Sequence, residues 1–565
     1  MLTFNEYKYE RPDLEHLKDI VDDLFEQFDQ AASADQQIEI LQKYYEHQKY
    51  LRTMQSLASI RASIDTKDAF YDNERNFFNE NSPAVTEITN RYRKSLTTSP
   101  FRTELEETFG SQLFALSENA QKIFDPALKD LYVKENRLST EYSKLIASAE
   151  IKFDGKVLNL NEFGKYTQDK DRNIRKEATA AMQSFFRDNL DNIDQLFDEL
   201  VKTRDQIAKG LGYNNFVEVG YILMNRIDYN PDMVKNFRDQ VAEHVVPLVT
   251  ELKERQKKRI GLSELKTYDE GFTFKDGTPT PEGSASDIME NGAKMYSELS
   301  KETDEFYQFM SARELFDVEA KKGKESGGYC AYIPEYNSPF IFSNFNGTLG
   351  DVKVLTHEAG HAFQKYMSGH FQTPEYRHAT LESAEIHSMS MEYLTYPWMP
   401  LFFGNDTEKF KFTHMVNSLS FLPYGVAVDE FQHIIYENPE LTPEERRKEW
   451  KKLEEKYLPD RDYDGIEPLE SGAFWHRQMH IFRRPFYYID YTLAQVCAMQ
   501  FWQKAESNFD SAWEDYLNLC KLGGSLPFGA LVESAGLKSP FEDGTVKSVV
   551  TDIKSYLDTI DDTSL

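Results

Sequence analysis

Cysteine and long apolar segments are scarce in this 565-residue sequence. The cysteines, Cys330, Cys497 and Cys520, are odd in number and far apart, which excludes a disulfide framework and a cysteine-rich metal site. No stretch is long and apolar enough for a membrane span, and the charged N-terminal segment lacks the apolar core of a signal peptide. We therefore expect a cytoplasmic protein with no membrane partner.

Basic residues are few compared with acidic ones. The chain has 65 Lys and Arg against 95 Asp and Glu, which gives a formal net charge of −30. A chain with this charge repels phosphate backbones, so we expect no nucleic-acid partner. Hydrophobic residues make up 40% of the sequence, which is enough for a substantial core. The length of the chain exceeds what one simple hydrophobic core supports, so we expect at least two lobes.

Helical periodicity dominates the sequence. Near the N-terminus, Leu17, Leu24 and Phe28 fall on one face at helical spacing. The pattern predicts a series of helices over residues 13–148 and a return to helix at about 170. The fold class is therefore predicted to be mainly α.

A small β element is predicted at about 326–347. Its segment "PFIFSNF" alternates and is rich in aromatic residues, as strands are. Asn346-Gly347 then turns the chain, and Thr348 is placed to cap the next helix, with Asp351 at the third helical position. A strand and a capped helix thus precede the segment "LTHEAGHAFQ".

That helix carries two histidines four residues apart, His357 and His361, with Glu358 after the first. Positions four apart lie on one helix face, so both imidazoles can bind one cation. Glu358 is placed to accept a proton from a water activated by the metal. This is the chemistry of the HExxH pattern, and it predicts one zinc ion per chain with Glu358 as general base.

A catalytic zinc needs a third protein ligand. The following helix, "TLESAEIHSMSMEYL", offers acidic residues for this role. Spacing favours Glu385, with Glu382 as second choice. Glu392 lies two turns further on the same face and is predicted to hydrogen-bond a ligating histidine. His387 points away from Glu385 around the helix.

The run "SGGYCAYIPEYNSPFIFSNFNGTLGDVKVLTHEAGHAFQ", followed by "ESAEIHSMSMEYL", resembles the M3 family of zinc metallopeptidases, especially its oligoendopeptidase F and Pz-peptidase type. Thimet oligopeptidase is a related member. The resemblance implies a helical, two-lobed, clam-like fold with a deep channel. It also implies an N-terminal helical lobe at 1–165 and a catalytic metallopeptidase domain at 166–565.

The same resemblance assigns His357, His361 and Glu385 as zinc ligands and Glu358 as the base. It places substrate backbone on the strand before the active helix. The predicted substrate-binding residues are Phe342, Ser343, Asn344 and Phe345, together with Gly327 and Gly328, since glycine permits close approach of a ligand.

A late stretch, "HRQMHIFRRPFYYIDYTLAQV", matches the family's His and Tyr-x-x-Tyr elements. Tyr488 and Tyr491 keep the Tyr-x-x-Tyr spacing. His480 is the preferred histidine and His476, one turn earlier, is its rival. Phenol and imidazole donors stabilise the oxyanion of peptide hydrolysis, which is the role predicted for these residues.

The sequence thus predicts a zinc-dependent endopeptidase of the metallopeptidase class that cleaves internal bonds of short oligopeptides. The resemblance to the Pz-peptidase type implies fragments of collagen type, rich in proline and glycine, as candidate substrates. The alternatives are a zinc aminopeptidase and a non-catalytic peptide-binding protein with structural zinc. The expected partners are short peptides, and the chain is a monomer or a small homo-oligomer. Cys330, beside the glycine pair, is expected to be a small buried thiol, and redox control of activity is the alternative.

Overall fold

The computed structural model describes residues 2–123 and 125–565, and the fold is mainly α as predicted. The helices before the first hairpin are α1 (Leu14–Gln30), α2 (Ala34–Ile64), α3 (Ala69–Glu80), α4 (Ser82–Thr97), α5 (Arg102–Phe109), α6 (Ser111–Gln121) and α7 (Lys129–Ala147). The hairpin consists of β1 (Ile151–Phe153) and β2 (Lys156–Leu158). Its turn residues have φ of 49° and 68°, the left-handed values that a tight two-residue turn requires.

The middle of the chain returns to helix before a second, larger sheet. These helices are α8 (Gly164–Thr167), α9 (Arg172–Asp188), α10 (Leu190–Gly210), α11 (Phe216–Leu223), α12 (Pro231–Gln240), α13 (Val246–Ile260), α14 (Ala285–Leu299) and α15 (Lys301–Ala312). The sheet contains β3 (Phe316–Glu319), β4 (Tyr329–Ile333) and β5 (Ser338–Phe345).

The remainder is again helical. It comprises α16 (Leu349–Met367), α17 (Leu381–Leu394), α18 (Pro400–Phe403), α19 (Thr407–Glu437), α20 (Pro443–Tyr457), α21 (Met479–Arg483), α22 (Tyr488–Ser507), α23 (Phe509–Leu522), α24 (Phe528–Ser534) and α25 (Thr545–Asp558). Across the described ranges, no helix is long and apolar enough to cross a membrane.

The chain divides into two compact units that are discontinuous in sequence. The first unit contains Met1–Lys122, Thr280–Thr407 and Cys497–Leu537, and the second contains Ile123–Pro279, Glu408–Val496 and Lys538–Leu565. The N-terminal helices thus share a unit with the larger sheet, α16 and α17. The linear division at residue 165 stays a prediction.

An aromatic core supports the N-terminal helices of the first unit. Phe25, Tyr44 and Tyr92 are buried, and their aromatic rings pack against one another. Tyr376, from the segment after α16, belongs to the same core, and its hydroxyl accepts a hydrogen bond of 2.9 Å from the Leu113 amide. This contact ties the chain after α16 to the N-terminal helices within the unit.

The larger sheet places α16. β5 is its central strand, parallel to β3 and antiparallel to β4, and nearly all of its side chains are buried. At the start of α16, Asp351 accepts backbone hydrogen bonds from Asn346 and Gly347 at 2.7–3.0 Å. Thr348 occupies the N-cap position, but its hydroxyl donates to Asn346 Oδ1 rather than capping the helix, so Asp351 stabilises the first turn.

Candidate metal centre

The side chains of His357, His361 and Glu385 converge on one point between α16 and α17. His357 Nε2 lies 3.5 Å from Glu385 Oε2, and His361 Nε2 lies 3.7 Å from the same oxygen. Within the described ranges these residues form the one group of three or more His, Cys, Asp or Glu side chains with converging ligand atoms. The third position is therefore occupied by Glu385, whereas Glu382 lies outside the group.

The donor set and its spacing fit zinc. Bonds of about 2.0–2.1 Å in a tetrahedral arrangement separate ligand atoms by roughly 3.4 Å, close to the distances found here. Two imidazole nitrogens and a carboxylate leave one tetrahedral position for water or substrate, as catalytic zinc sites do. The side chains of His357, His361 and Glu385 are 22%, 15% and 8% exposed, so the group is sheltered but reachable.

Glu392 fixes the orientation of His357. Its Oε1 lies 2.7 Å from His357 Nδ1, which leaves Nε2 directed at the convergence point. Lys353 lies 3.7 Å from the other Glu392 oxygen. Ser388 donates a 3.1 Å hydrogen bond to Glu385 Oε2, so both carboxylates from α17 are positioned by neighbours.

The electrostatics of the group favour a bound cation. Burial disfavours a charge on His357, yet the carboxylates of Glu385 and Glu392 outweigh it and raise the His357 pKa to about 10. Burial lowers the pKa of His361 to about 3, so this imidazole is neutral and able to bind a metal. Burial also opposes ionisation of Glu385, but its histidine contacts lower the Glu385 pKa to about 2.

Glu358 stands beside this group with an unusual environment. It is buried, and its Oε2 atom has no hydrogen-bond partner within the part of the chain that the structure describes. Burial raises the pKa of its carboxyl group. A buried, unpaired carboxyl oxygen costs free energy, which points to a partner such as water or substrate.

A close approach of two helices creates the metal site. A Cβ atom at Gly360 would lie 2.6 Å from the His387 carbonyl oxygen and 2.7 Å from Ser388 Cα. Only glycine therefore lets α17 lie this close to the histidines. Gly360 and Ser388 are positioning residues that sequence reasoning missed, although the glycine stands inside the "HEAGH" motif itself.

The other histidines near the motif lie outside the group. His387 is fully buried, with its Nε2 3.5 Å from the Leu519 carbonyl oxygen, and its own carbonyl accepts from Tyr516. His378 follows Arg377 and is exposed. Neither residue supplies a fourth ligand that would close the site as structural zinc requires.

The predicted substrate strand lies in β5, the central strand of the larger sheet. Phe342 pairs with both β3 and β4, whereas Ser343, Asn344 and Phe345 extend beyond the last residue that pairs with β4. Asn344 donates 2.9 Å hydrogen bonds to the carbonyls of residues 325 and 327, which holds the loop before β4. Substrate binding by this segment stays a prediction. The sheet has two edge strands, β3 and β4.

The glycine pair precedes that edge strand and lies beside the base. Gly327 has φ of 101°, a value that suits glycine. A Cβ atom at Gly328 would lie 3.7 Å from Glu358 Oε1, so the backbone passes directly over this carboxyl group. Cys330 follows on β4, where burial raises its thiol pKa to about 11 and disfavours the reactive thiolate that redox control needs.

His480, Tyr488 and Tyr491 form a cluster in the second unit. The His480 ring centroid lies 5.0 Å from that of Tyr488 and 5.8 Å from that of Tyr491, and the two tyrosine rings are 5.7 Å apart. All three are half-buried, and burial raises the pKa of Tyr488, which keeps its phenol protonated. His480 Nδ1 lies 2.7 Å from Gln478 Nε2.

The rival histidine has a different environment. His476 is fully buried, its Nε2 lies 2.9 Å from Asp194 Oδ1, and its carbonyl accepts a hydrogen bond from Tyr142. Of the two histidines, only His480 therefore joins the tyrosines.

Comparison with known proteins relates this geometry to relatives. The Peptidase M3 N-terminal domain matches residues 4–124, and Peptidase family M3 matches residues 165–551. An oligoendopeptidase F homolog of Borreliella burgdorferi is 25% identical over 533 residues, covering 86% of this chain and 84% of that protein. Oligopeptidase PepF of Bacillus subtilis is 23% identical over 540 residues, covering 88% and 76%.

A solved structure of Pz peptidase A with an inhibitor is more similar. It is 51% identical, has a TM-score of 0.94 and covers 99% of this chain and all of that one. The HExxH helix, its acidic partner helix and the small sheet lie within the matched range of residues 165–551. The chain belongs to peptidase family M3.

Proposed function

We propose that this protein is a zinc-dependent endopeptidase that hydrolyses internal bonds of short oligopeptides. The observation that carries the proposal is the triangle of His357 Nε2, His361 Nε2 and Glu385 Oε2 beside the buried, unpartnered Glu358 Oε2. Membership of a peptidase family supports it, as does similarity to proteins named oligoendopeptidase F. Zinc suits two imidazoles and a carboxylate better than Mg²⁺ or Ca²⁺, which prefer oxygen ligands.

A zinc ion held by these three residues would lower the pKa of a water and polarise the carbonyl of the scissile bond. Glu358 accepts the proton of the attacking water and then donates it to the leaving amine. Burial supports this shuttle, because a raised pKa brings the carboxyl group closer to the working pH. Glu392 holds His357 in the tautomer that presents Nε2.

The peptide is proposed to pair with β4, one of the two edge strands and the one that follows the glycine pair. The glycine pair before β4 lets the scissile bond reach Glu358, since any side chain at Gly328 would begin 3.7 Å from its carboxyl oxygen. Tyr488 and Tyr491, with His480, are proposed as donors to the oxyanion. This role rests on the family resemblance and on their mutual contacts.

The test uses an internally quenched peptide of about ten residues with a blocked N-terminus, cleaved by wild type and by Glu358→Gln, with zinc measured on both. We expect wild type alone to cleave the peptide at an internal bond, with zinc retained in both proteins. Loss of the base lowers the rate by about 10²–10⁴-fold. A second peptide with Pro-Gly near the cut tests the preference for collagen-type sequences.

Two outcomes would overturn the proposal. Cleavage of an unblocked peptide alone, one residue at a time, would indicate an aminopeptidase. Zinc retention without cleavage of any peptide would indicate the peptide-binding alternative.

A further inference from the structure

A cavity of about 960 Å³ lies within the first unit, beside α16 and β4. Its walls come from α2, α4, β4, the end of α16 and the segment 372–378. Lys365 on α16 lines it, one helical turn beyond the metal ligand His361. Cys330 and Ala331 on β4 line it two and three residues beyond Gly328. The cavity therefore lies along the continuation of α16 beyond His361 and of β4 beyond the glycine pair.

The lining is basic although the chain as a whole carries a net charge of −30. Five cations face the cavity, Lys49, Arg52, Arg93, Lys365 and Arg377, against the acids Glu46 and Glu375. Lys49 lies 3.8 Å from Glu46. For the other four cations, no ion pair with any described residue lies within 4.0 Å. Glu375 interacts electrostatically with Arg93 and Arg52, but five cations against two acids leave an excess of positive charge in one concave site, which favours an anionic ligand.

The walls that carry these cations are fixed. Arg377 Nε donates to the Phe371 carbonyl at 2.7 Å. On α2, Thr53 next to Arg52 accepts a 2.9 Å hydrogen bond from the Glu335 amide just beyond β4. These contacts fix the backbone segments that carry Arg52 and Arg377, which lowers the conformational entropy lost when a ligand binds.

We infer that this cavity binds a carboxylate of the peptide substrate and gives the enzyme a preference for acidic peptides. The inference rests on the proposed function. A peptide paired with β4 advances about 3.3 Å per residue, as the strand itself does. Because the cavity is lined by residues 330–334, the recognised carboxylate lies two to six residues from the cleaved bond. It is either the C-terminal carboxylate or an Asp or Glu side chain.

Peptide pairs that differ in one charge test this inference. One pair carries a free or an amidated C-terminus, and the others carry Glu or Gln at one position, two to six residues from the cleaved bond on either side. We expect wild type to favour the charged member of at least one pair by about tenfold in kcat/KM. The pair that responds identifies the source of the carboxylate.

The double variant Arg52→Gln/Arg93→Gln removes two of the five positive charges that face the cavity. Its matched control is Lys43→Gln/Lys94→Gln, which removes two charges from exposed positions of the same helices outside the cavity. We expect the preference to fall below about twofold in the double variant and to persist in the control. Wild type without a preference, or a control that loses it equally, would overturn the inference.

A binding measurement keeps this test separate from catalysis. Fluorescein-labelled members of each pair are bound to zinc-loaded Glu358→Gln protein, and anisotropy gives Kd. A tenfold tighter Kd for a charged member, reduced by Arg52→Gln/Arg93→Gln in the same background, supports the carboxylate site even if no peptide is cleaved. Equal Kd values overturn it while leaving the proposed hydrolysis intact.

Discussion

The protein contains two clusters of candidate functional side chains, one in each compact unit, and they are built differently. In the first unit, His357, His361 and Glu385 are oriented by charged and polar contacts such as the 2.7 Å approach of Glu392 to His357. In the second unit, the rings of His480 and the two tyrosines of the Tyr-x-x-Tyr pair pack together at 5.0–5.8 Å.

This difference matches two chemical tasks. The first cluster has surplus negative charge, which raises the pKa of His357 to about 10 and stabilises a permanent cation. The second offers phenol and imidazole groups that can donate hydrogen bonds, which suit a negative charge that exists only in the transition state. Measurements of metal content and turnover should therefore distinguish the two clusters. Substitutions in the first cluster should lower both metal content and turnover, whereas substitutions in the second should lower turnover alone.

The largest effect is expected from His361→Ala. It removes one of three converging ligands, so bound zinc should be lost and peptide cleavage should fall on the order of 10³-fold or more. Zinc is measured by elemental analysis of dialysed protein, and cleavage by kcat/KM. The control is His370→Ala, an exposed histidine three residues after the end of α16. Full zinc content in His361→Ala would contradict the assigned ligand set.

Tyr488→Phe and Tyr491→Phe should lower turnover without loss of metal. Removing one oxyanion donor costs about 10²–10³ in kcat, and the phenol makes no contribution to the zinc ligands. Tyr487→Phe is the matched control, because it removes the same group from the neighbouring position. Equal losses in all three variants, or reduced zinc content, would show that these residues act through folding and that the clusters do not differ as argued.

Glu392→Gln should weaken the metal rather than abolish it. Loss of a hydrogen-bond partner behind a ligating histidine typically costs about 10–100-fold in metal affinity. Competition with a chelator measures this, and Glu382→Gln on the same helix is the comparison, since Glu382 lies outside the converging group. A larger loss from Glu382→Gln would exchange the roles of the two acids.

The grouping of His357, His361 and Glu385 was predictable because its information is local. The two histidines lie four residues apart on one helix face, and Glu385 lies on the next helix in the sequence. The buried strand before α16 could also be found from its alternation. The strands that pair with it could not be predicted, because strand order depends on pairing between segments that are distant in sequence. The sequence therefore did not show that β5 lies between β3 and β4.

The basic cavity shows the limit of sequence reasoning more sharply. Arg52, Arg93 and Lys365 stand on three helices that are far apart in sequence, and each occurs in an ordinary polar pattern. The net charge of −30 also gave no indication of a basic cavity, since such a charge argues against any anionic ligand. Only packing reveals that these cations face one cavity.

Gly360→Ala tests whether the metal centre depends on the close approach of α16 and α17. The added methyl would start 2.6 Å from the His387 carbonyl oxygen and 2.7 Å from Ser388 Cα, both of them backbone atoms that cannot rotate away. The helices must therefore separate, at a cost of about 1–3 kcal/mol in the free energy of unfolding. Separation also moves Glu385 away from the histidines, so metal affinity should fall together with stability. Urea unfolding and chelator competition measure the two quantities on the same protein.

Gly164→Ala is the control, because its methyl would meet no other atom within 4 Å and its backbone is already helical. Unchanged stability in Gly360→Ala would mean that the two helices have room to spare. The first cluster would then owe its geometry to its charged contacts alone, in full contrast to the second cluster, whose rings pack against one another.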